Sequence, residues 1–523
     1  MSHKENAFVE WAQKSAHPMK SFEGADFEDL AFLEEAVGDA RIVTVGESQH
    51  YTREFNGITR RIFEYLVEKK GFTAFVYETP LVQAFTVDEY VQGADMTLEQ
   101  ACREGITELF GGWKEMRDIV EWMRNYNLQH PERRKLHYYG ADICCEGPYR
   151  TMNYALGYLK RVDPEYAKLL EEEVQASKDY TIFNYAELNQ QERDAFAAWA
   201  MRLQCRLEAF APMYAAKTGE VAWKRARQAA NNAMKAVAWF DTFLMTGSSW
   251  QTDSVRDGCM GENMKWVMDL EGEQGKIVYH AHNEHVRRQL REEDQQQTGV
   301  HLDFLFGKDA VVSVGCMSYL NMRPDDTCPG DCLQHYLALV DRDHYILNLK
   351  ELPKGSEAEK WADLEMPDRL STNFINARLL PSYDIVAFTR LPLHEDQMEF
   401  CPYHEEIIEL NSEIYKDYVG TYALDHTWFP GEVKDYLTVE CHEGRLYSHS
   451  LYGADGKPDP ASTIAEHSPV ALSEMFPISE TRFIWKNYCG IFEFKRDSSG
   501  KVIGGEYSYY YLEEQKYPTN KIR

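Results

Sequence analysis

The feature that most constrains the fold is an alternation of short β-branched runs with longer helical stretches in the first 145 residues. Arg41–Val45 precedes a glycine and a polar turn, and from Thr52 to Gly71 apolar residues recur at helical spacing. Thr73–Tyr77 is the next apolar run, and Leu136–Tyr139 follows a further helical stretch. This strand–helix–strand order predicts an α/β fold with a mostly parallel sheet flanked by helices.

The pattern changes between residues 151 and 270, where strand signals nearly vanish. Segments 191–216 and 221–244 carry helix formers and aromatic residues at helical spacing, so we predict a helical insertion over 151–270. Core packing is the expected environment of its tryptophans, and lining of a cleft is the alternative. These tryptophans are Trp199, Trp223, Trp239 and Trp250. Strand-like runs then resume at Lys276–Tyr279, Ala310–Val314 and Asp384–Phe388.

The C-terminal part of the chain has a different pattern, which begins after an acidic stretch at residues 403–417. Short alternating runs separated by turns predict an antiparallel β-barrel or β-sandwich of about 100 residues. We therefore divide the chain into an α/β domain, 1–410, and a small β domain, 411–523.

Charge and cysteine content limit the partners that we expect. The chain has 56 Lys and Arg against 85 Asp and Glu, a formal net charge of -29, which repels nucleic acid and anionic lipid. No apolar run reaches the about 20 residues that cross a bilayer, and the N-terminus has no apolar core of a secretory signal. The 11 cysteines include no CxxC pair, as expected for a cytoplasmic protein with reduced thiols.

Ionisable residues lie at the ends of four of the predicted strands. In chain order these are Glu47 with His50, Glu78, Asp142, and His282 with His285. Ligands of parallel sheets bind beyond the carboxyl ends of the strands. We therefore expect these side chains to form one shared site.

The residue types in this cluster suit proton transfer. A histidine with a pKa near ~6.5 accepts a proton at neutral pH, and a neighbouring carboxylate orients it. The helix that begins near Thr52 offers N–H groups to an oxyanion, and Arg53 and Arg60 are candidates for substrate binding. The chain lacks GxSxG, HExxH, GxxxxGK[ST] and GxGxxG, which leaves water activated by histidine as the simplest chemistry.

The same segments resemble the erythromycin esterase family. They are Val45–Phe55 (VGESQHYTREF), Gly71–Glu78, Gly140–Asp142, Arg256–Asn263 (RDxxMxxN) and Ala281–His285 (AHNEH), within a resemblance that spans about residues 25–400. The resemblance implies that His50 is the general base, and that Glu47, Glu78, His282 and His285 complete the active cleft. Some macrolide esterases have an arginine where this chain has Thr59. The C-terminal segment from Tyr418 resembles a small β domain appended to some serine hydrolases.

We therefore expect a carboxylic-ester hydrolase that acts on a macrolactone or another small-molecule ester and needs no cofactor. One alternative is a metal-dependent hydrolase in which His50, Glu78, His282 and His285 bind zinc or manganese. The other is a non-catalytic protein that binds haem or another small molecule on the same scaffold.

Overall fold

The computed structural model describes most of the chain. The described residues are 6–24, 26–50, 52–106, 111, 113–143, 148–180, 185–290, 295–320, 328–370, 373–391, 406–424, 436–449, 473–485, 490–509 and 516–523.

Helices occupy the faces of a central sheet and the whole of the predicted insertion. They are α1 (Ala7–Ser15), α2 (Leu33–Val37), α3 (Arg53–Lys70), α4 (Leu81–Val91), α5 (Leu98–Gly105), α6 (Lys114–Gln129), α7 (Tyr149–Val162), α8 (Pro164–Ala176), α9 (Gln190–Ala209), α10 (Ala211–Thr218), α11 (Glu220–Thr246), α12 (Ser249–Glu271), α13 (Asn283–Val286), α14 (Thr298–Phe306), α15 (Leu333–Ala338), α16 (Glu357–Ala362), α17 (Leu379–Ser382) and α18 (Tyr415–Tyr418). Within the described part of the chain, no helix is long and apolar enough to cross a membrane.

The strands form a large mostly parallel sheet, a two-stranded hairpin and a barrel. They are β1 (His17–Pro18), β2 (Ile42–Glu47), β3 (Ala74–Pro80), β4 (His137–Asp142), β5 (Ile277–His282), β6 (Val311–Ser318), β7 (His344–Asn348), β8 (Glu365–Leu370), β9 (Asn373–Arg378), β10 (Ile385–Thr389), β11 (Gly420–Leu424), β12 (Tyr436–His442), β13 (Arg445–His449), β14 (Ser473–Pro477), β15 (Arg482–Trp485), β16 (Gly490–Arg496), β17 (Val502–Tyr509) and β18 (Tyr517–Lys521).

The large sheet has the strand order β1-β7-β10-β6-β2-β5-β3-β4. The five neighbouring pairs from β10 to β4 are parallel, whereas β7 is antiparallel to both β10 and β1. Both faces of this sheet are buried. Successive residues such as Ile42 and Val43 point to opposite faces and belong to two separate apolar clusters. This two-sided burial accounts for the continuous apolar runs from which the strands were predicted, and the predicted fold class is confirmed.

The C-terminal strands β11 to β18 form a closed antiparallel barrel, which resolves the choice between barrel and sandwich. Aromatic residues fill its interior, and Tyr422 Oη donates a hydrogen bond of 2.6 Å to the Tyr418 carbonyl. Trp485 Nε1 donates to Ser448 Oγ at 2.7 Å, so the buried indole keeps a polar partner. The boundary near residue 410 stays a prediction, and residues 403–405 of the acidic stretch lie outside the described residues.

Candidate active site

The predicted strand-end residues meet at one edge of the sheet. Strands β2, β5, β3 and β4 are consecutive neighbours, and Glu47 is level with His282 in the parallel register of β2 and β5. Tyr77, which precedes Glu78, is level with His280 on β5, and Asp142 ends β4 beside β3. The carboxyl ends of these strands therefore present their ionisable side chains together.

His50 and Glu47 form the pair closest to the solvent. His50 Nδ1 donates a hydrogen bond of 2.7 Å to Glu47 Oε1, and the His50 side chain is 31% exposed while that of Glu47 is 2% exposed. This bond fixes the tautomer, so Nε2 carries the basic lone pair when the ring is neutral. The ring centroid of His50 lies 4.9 Å from that of His282.

Two backbone groups bind the neutral imidazole ring of His282, and a third contact fixes the backbone of this residue. Its backbone N–H donates to Glu78 Oε2 at 2.7 Å, and its Nδ1 accepts the Glu284 N–H at 3.3 Å. Its Nε2–H donates to the Ser48 carbonyl at 3.2 Å. Burial and the neighbouring His50 lower the pKa of His282 to about 3, so this ring stays uncharged at neutral pH.

His285 is, in contrast, a buried cation between two carboxylates. Its Nδ1 lies 2.8 Å from Asp257 Oδ1, and its Nε2 lies 3.1 Å from Glu78 Oε1 and 3.3 Å from Arg256 Nη1. Burial alone would lower its pKa, but Asp257 and Glu78 outweigh burial and raise that pKa well above its usual value. Both ring nitrogens are therefore protonated and directed at carboxylates.

Arg256 adds a second positive charge beside the carboxylates of β3 and β4. Its Nε donates to Asp142 Oδ1 at 3.0 Å, and its Nη2 donates to Asp142 Oδ2 at 2.6 Å and to Glu78 Oε1 at 3.2 Å. Burial would raise the pKa of Glu78, but His285, His50 and Arg256 hold it well below its usual value. Glu78 is therefore an anion fixed between cationic groups.

Helix α12, the last helix of the insertion, is anchored to the sheet and to α14. Asp257 accepts hydrogen bonds from Thr298 N at 2.9 Å, from Thr298 Oγ1 at 2.6 Å and from Gln295 Nε2. Asn263 Nδ2 donates to the Ala141 carbonyl on β4 at 2.7 Å. The insertion is therefore part of the site.

Arg256 and Asp257 were absent from the predicted site and were quoted only within the RDxxMxxN segment of the resemblance. The sequence carries a usable signal, because Asp257 and Asn263 share one helical face with apolar residues such as Met260. In the structure both polar side chains are fully buried. Buried polar side chains of this kind need partners, and partners at a strand edge indicate a site.

The structure does not bring Arg53 and Arg60 into the strand-end cluster. The Arg53 guanidinium forms ion pairs with Glu23 at 2.8 Å and Glu115 at 3.6 Å. The Arg60 guanidinium forms ion pairs with Glu64 at 2.7 Å and Asp118 at 2.9 Å. Substrate binding by Arg53, Arg60 and Asp142 stays a prediction, and Arg256 supplies the arginine charge at the strand ends.

Comparison with known proteins agrees with this arrangement. A family model described as erythromycin esterase matches residues 67–390. Erythromycin esterase type II of Escherichia coli is 24% identical over 300 residues, which are 54% of this chain and 69% of that protein.

Two solved structures share the fold. A Bacillus cereus protein superposes with a TM-score of 0.63 at 22% identity, over 74% of this chain and 97% of that chain. An erythromycin esterase mutant in its open conformation has a TM-score of 0.58 at 17% identity, over 72% of this chain and 98% of that chain. The family match ends before the barrel begins.

Proposed function

The chain belongs to the erythromycin esterase family, and on that premise we propose that it hydrolyses a carboxylic ester with a water molecule activated by His50. Family membership assigns the chain to hydrolases of the esterase type. The observation that carries the proposal is the His50–Glu47 pair, a partly exposed imidazole whose Nδ1–H is held at 2.7 Å by a buried carboxylate. A positioned base of this kind is the requirement for abstracting a proton from water.

The reaction begins as water attacks the ester carbonyl carbon. His50 Nε2 takes one proton from the water, and Glu47 stabilises the resulting imidazolium through Nδ1–H. The carbonyl oxygen becomes an oxyanion, and the charges of Arg256 and His285 lower the energy of negative charge at this edge of the sheet. Collapse of the tetrahedral intermediate then releases an alcohol and a carboxylic acid.

We propose that this chemistry needs no metal, because the imidazoles are committed to other partners. Nδ1 of His282 accepts a backbone N–H and its Nε2–H faces a carbonyl, while both nitrogens of His285 face carboxylates. A metal ion binds the lone pair of a neutral imidazole nitrogen. Coordination by His285 would therefore leave Asp257 as a buried anion without its cation.

The substrate class that we propose is carboxylic esters, and macrolactones are the first compounds to assay because a relative is named as an erythromycin esterase. Opening of a lactone adds one water to the compound, so mass spectrometry detects the product directly. Simple acyl esters form the second set, since the same attack on a carbonyl carbon cleaves both.

The test compares His50→Asn with His442→Asn, a matched change at an exposed histidine of the barrel. We expect His50→Asn to lose about 10²–10⁴-fold in kcat at unchanged thermal stability, because positioned general-base catalysis typically contributes that factor. His442→Asn should keep wild-type turnover. The wild-type protein should also keep its activity in EDTA. An active His50→Asn protein would refute the base assignment, and complete inhibition by EDTA that zinc or manganese reverses would refute the metal-free mechanism.

A further inference from the structure

Ester hydrolysis needs a proton donor as well as a base, because an alkoxide is a poor leaving group until its oxygen is protonated. The two other histidines of the cluster are not arranged to donate this proton. His282 is neutral, and its Nε2–H is bonded to the Ser48 carbonyl. His285 has both ring nitrogens directed at carboxylates at 2.8 and 3.1 Å. The imidazolium of His50 is one donor, because it holds the proton taken from water. A separate acid near the cluster would be a second donor.

One face of α12 leads from the buried cluster to the solvent. Trp250, Asp253 and Asp257 are spaced i, i+3 and i+7, which places them on the same face of a helix. Asp257 is fully buried against His285, Asp253 is partly exposed, and Trp250 is 46% exposed. With a rise of ~1.5 Å per residue, Asp253 lies about 6 Å from Asp257 along the helix, towards the solvent. Asp253 therefore lies between the buried ion pair and the rim of the site.

The surroundings of Asp253 favour protonation of its carboxyl group. Within the described residues no group donates a hydrogen bond to its carboxyl, and the charged groups that face it are Arg256 and Asp257 on α12 and Glu284 and His285 on α13. Burial is the largest influence, and together with the two carboxylates it outweighs the two cations and raises the pKa of Asp253 to about 6. A carboxyl group in this range is largely protonated below about pH 6 and partly protonated at neutral pH, so it can supply a proton.

Glu78 links the segment of the proposed base to the residues of α12. Glu78 Oε2 accepts the backbone N–H of His282, whose ring is next to His50, while Glu78 Oε1 faces His285, whose ring is next to the α12 face. A carbonyl group bound over Glu78 would therefore lie near both His50 and the α12 residues.

We propose that Asp253 is the general acid that protonates the leaving alcohol, an assignment that rests on the proposed esterase function. Water adds to the carbonyl carbon and gives one proton to His50 Nε2. The bond from carbon to the alcohol oxygen then breaks, its electron pair stays on that oxygen, and the oxygen takes the proton of the Asp253 carboxyl. The products are a carboxylic acid and an alcohol. Solvent then carries the proton of His50 back to the Asp253 carboxylate, and the enzyme is restored.

The experiment uses two esters of butyric acid, ethyl butyrate and 4-nitrophenyl butyrate, with the full-length protein. Ethanol leaves only when protonated, whereas 4-nitrophenolate leaves as an anion. We expect Asp253→Asn to lower kcat for ethyl butyrate by about 10²-fold or more, the typical contribution of a positioned acid, and to leave 4-nitrophenyl butyrate close to the wild-type rate. The wild-type rate on ethyl butyrate should fall as pH rises above about 6, and this descending limb should be absent from Asp253→Asn.

Asp253→Glu keeps the carboxyl group and should recover part of the lost rate on ethyl butyrate. Asp269→Asn is the matched control, an exposed aspartate of the same helix paired with Lys265, and it should behave as wild type on both esters. Equal losses of Asp253→Asn on the two esters, or no loss on either, overturn the assignment. If the wild-type protein cleaves neither ester nor any macrolactone, the esterase function itself fails and the role of Asp253 fails with it.

Discussion

Replacement of Asp257 by asparagine should destabilise the α/β domain through loss of a buried charge. The Asp257 carboxylate is fully buried and accepts hydrogen bonds from His285 Nδ1 at 2.8 Å and from Thr298 N and Oγ1 at 2.9 and 2.6 Å, and also one from Gln295. Asparagine keeps one acceptor oxygen and turns an NH2 group towards these donors. The imidazolium of His285 then retains Glu78 as its remaining carboxylate partner.

The expected size of this effect follows from two general values. Removal of one partner from a buried ion pair costs about 3–5 kcal/mol, because the other charge remains buried. Unfolding entropy near ~2.1 cal/mol/K per residue gives roughly 0.8 kcal/mol/K for a domain of about 400 residues. The midpoint of thermal unfolding should therefore fall by about 4–6 °C.

The stability of the folded protein should depend on pH in a direction that follows from the pKa values of Asp257 and His285. The pKa of Asp257 is below its usual value in the folded protein, so its contribution is present above the unfolded pKa of ~3.9 and is lost on acidification. The pKa of His285 is raised, so its contribution is complete below the unfolded value of ~6.5 and is lost as pH rises through the folded value. Asp257→Asn lowers that folded value, and its stability should decline at a lower pH than that of the wild type.

The assay is thermal unfolding followed by circular dichroism between pH 5 and 9, with Asp269→Asn as the control on the same helix. The control removes an exposed charge and should shift the midpoint little, because exposed ion pairs contribute only ~0.2–1 kcal/mol. If Asp257→Asn and Asp269→Asn unfold at the same temperature across this pH range, the buried ion pair does not stabilise the domain and the reasoning is wrong.

Two further predictions concern the domains and the rim of the site. A protein truncated after Asn411 should unfold cooperatively and keep the ester turnover of the full chain, because the family match ends at residue 390. An insoluble or inactive truncation would show that the barrel belongs to the catalytic unit. Trp250→Ala should raise KM for esters with large apolar groups and leave kcat for ethyl esters unchanged. The reason is that this partly exposed indole lies two turns N-terminal to Asp257 on α12. A loss of kcat at constant KM would indicate a purely structural role.

The sequence predicted the parallel strands well because burial on both faces makes each of them a continuous apolar run. Strand β7 was missed, since its sequence, His344–Asn348, has only three apolar residues between polar ends. The residues of strand β18 do not predict a strand by themselves, because Tyr517–Lys521 contains a proline and an asparagine and is extended through its pairing with β11 and β17. Closure of the barrel therefore determines this strand more than its own residues do.

The strand-end residues could also be predicted, because a general rule places the ligands of parallel sheets at that edge. No equivalent rule covers Arg256 and Asp257, which reach the site only through the packing of α12 on β4 and α14. The environment of the α3 arginines could not be predicted from the sequence for the same reason. Whether Arg53 or Arg60 meets a substrate depends on acidic partners distant in sequence, such as Glu23 and Asp118.

The position of β2 between β5 and β6 has a consequence for biosynthesis. Val45 contacts His280 and Thr44 contacts Ser313, partners that lie 235 and 269 positions later in the chain. At ~5–20 residues per second, translation delivers them roughly 10–50 s after β2 has emerged. During that interval a strand that is fully buried in the native sheet has both edges unpaired, which is the condition that favours intermolecular pairing. Chains released early, within the insertion, should therefore aggregate through β2, and Glu47 can pair with the His282 segment only after more than half of the chain has been synthesised.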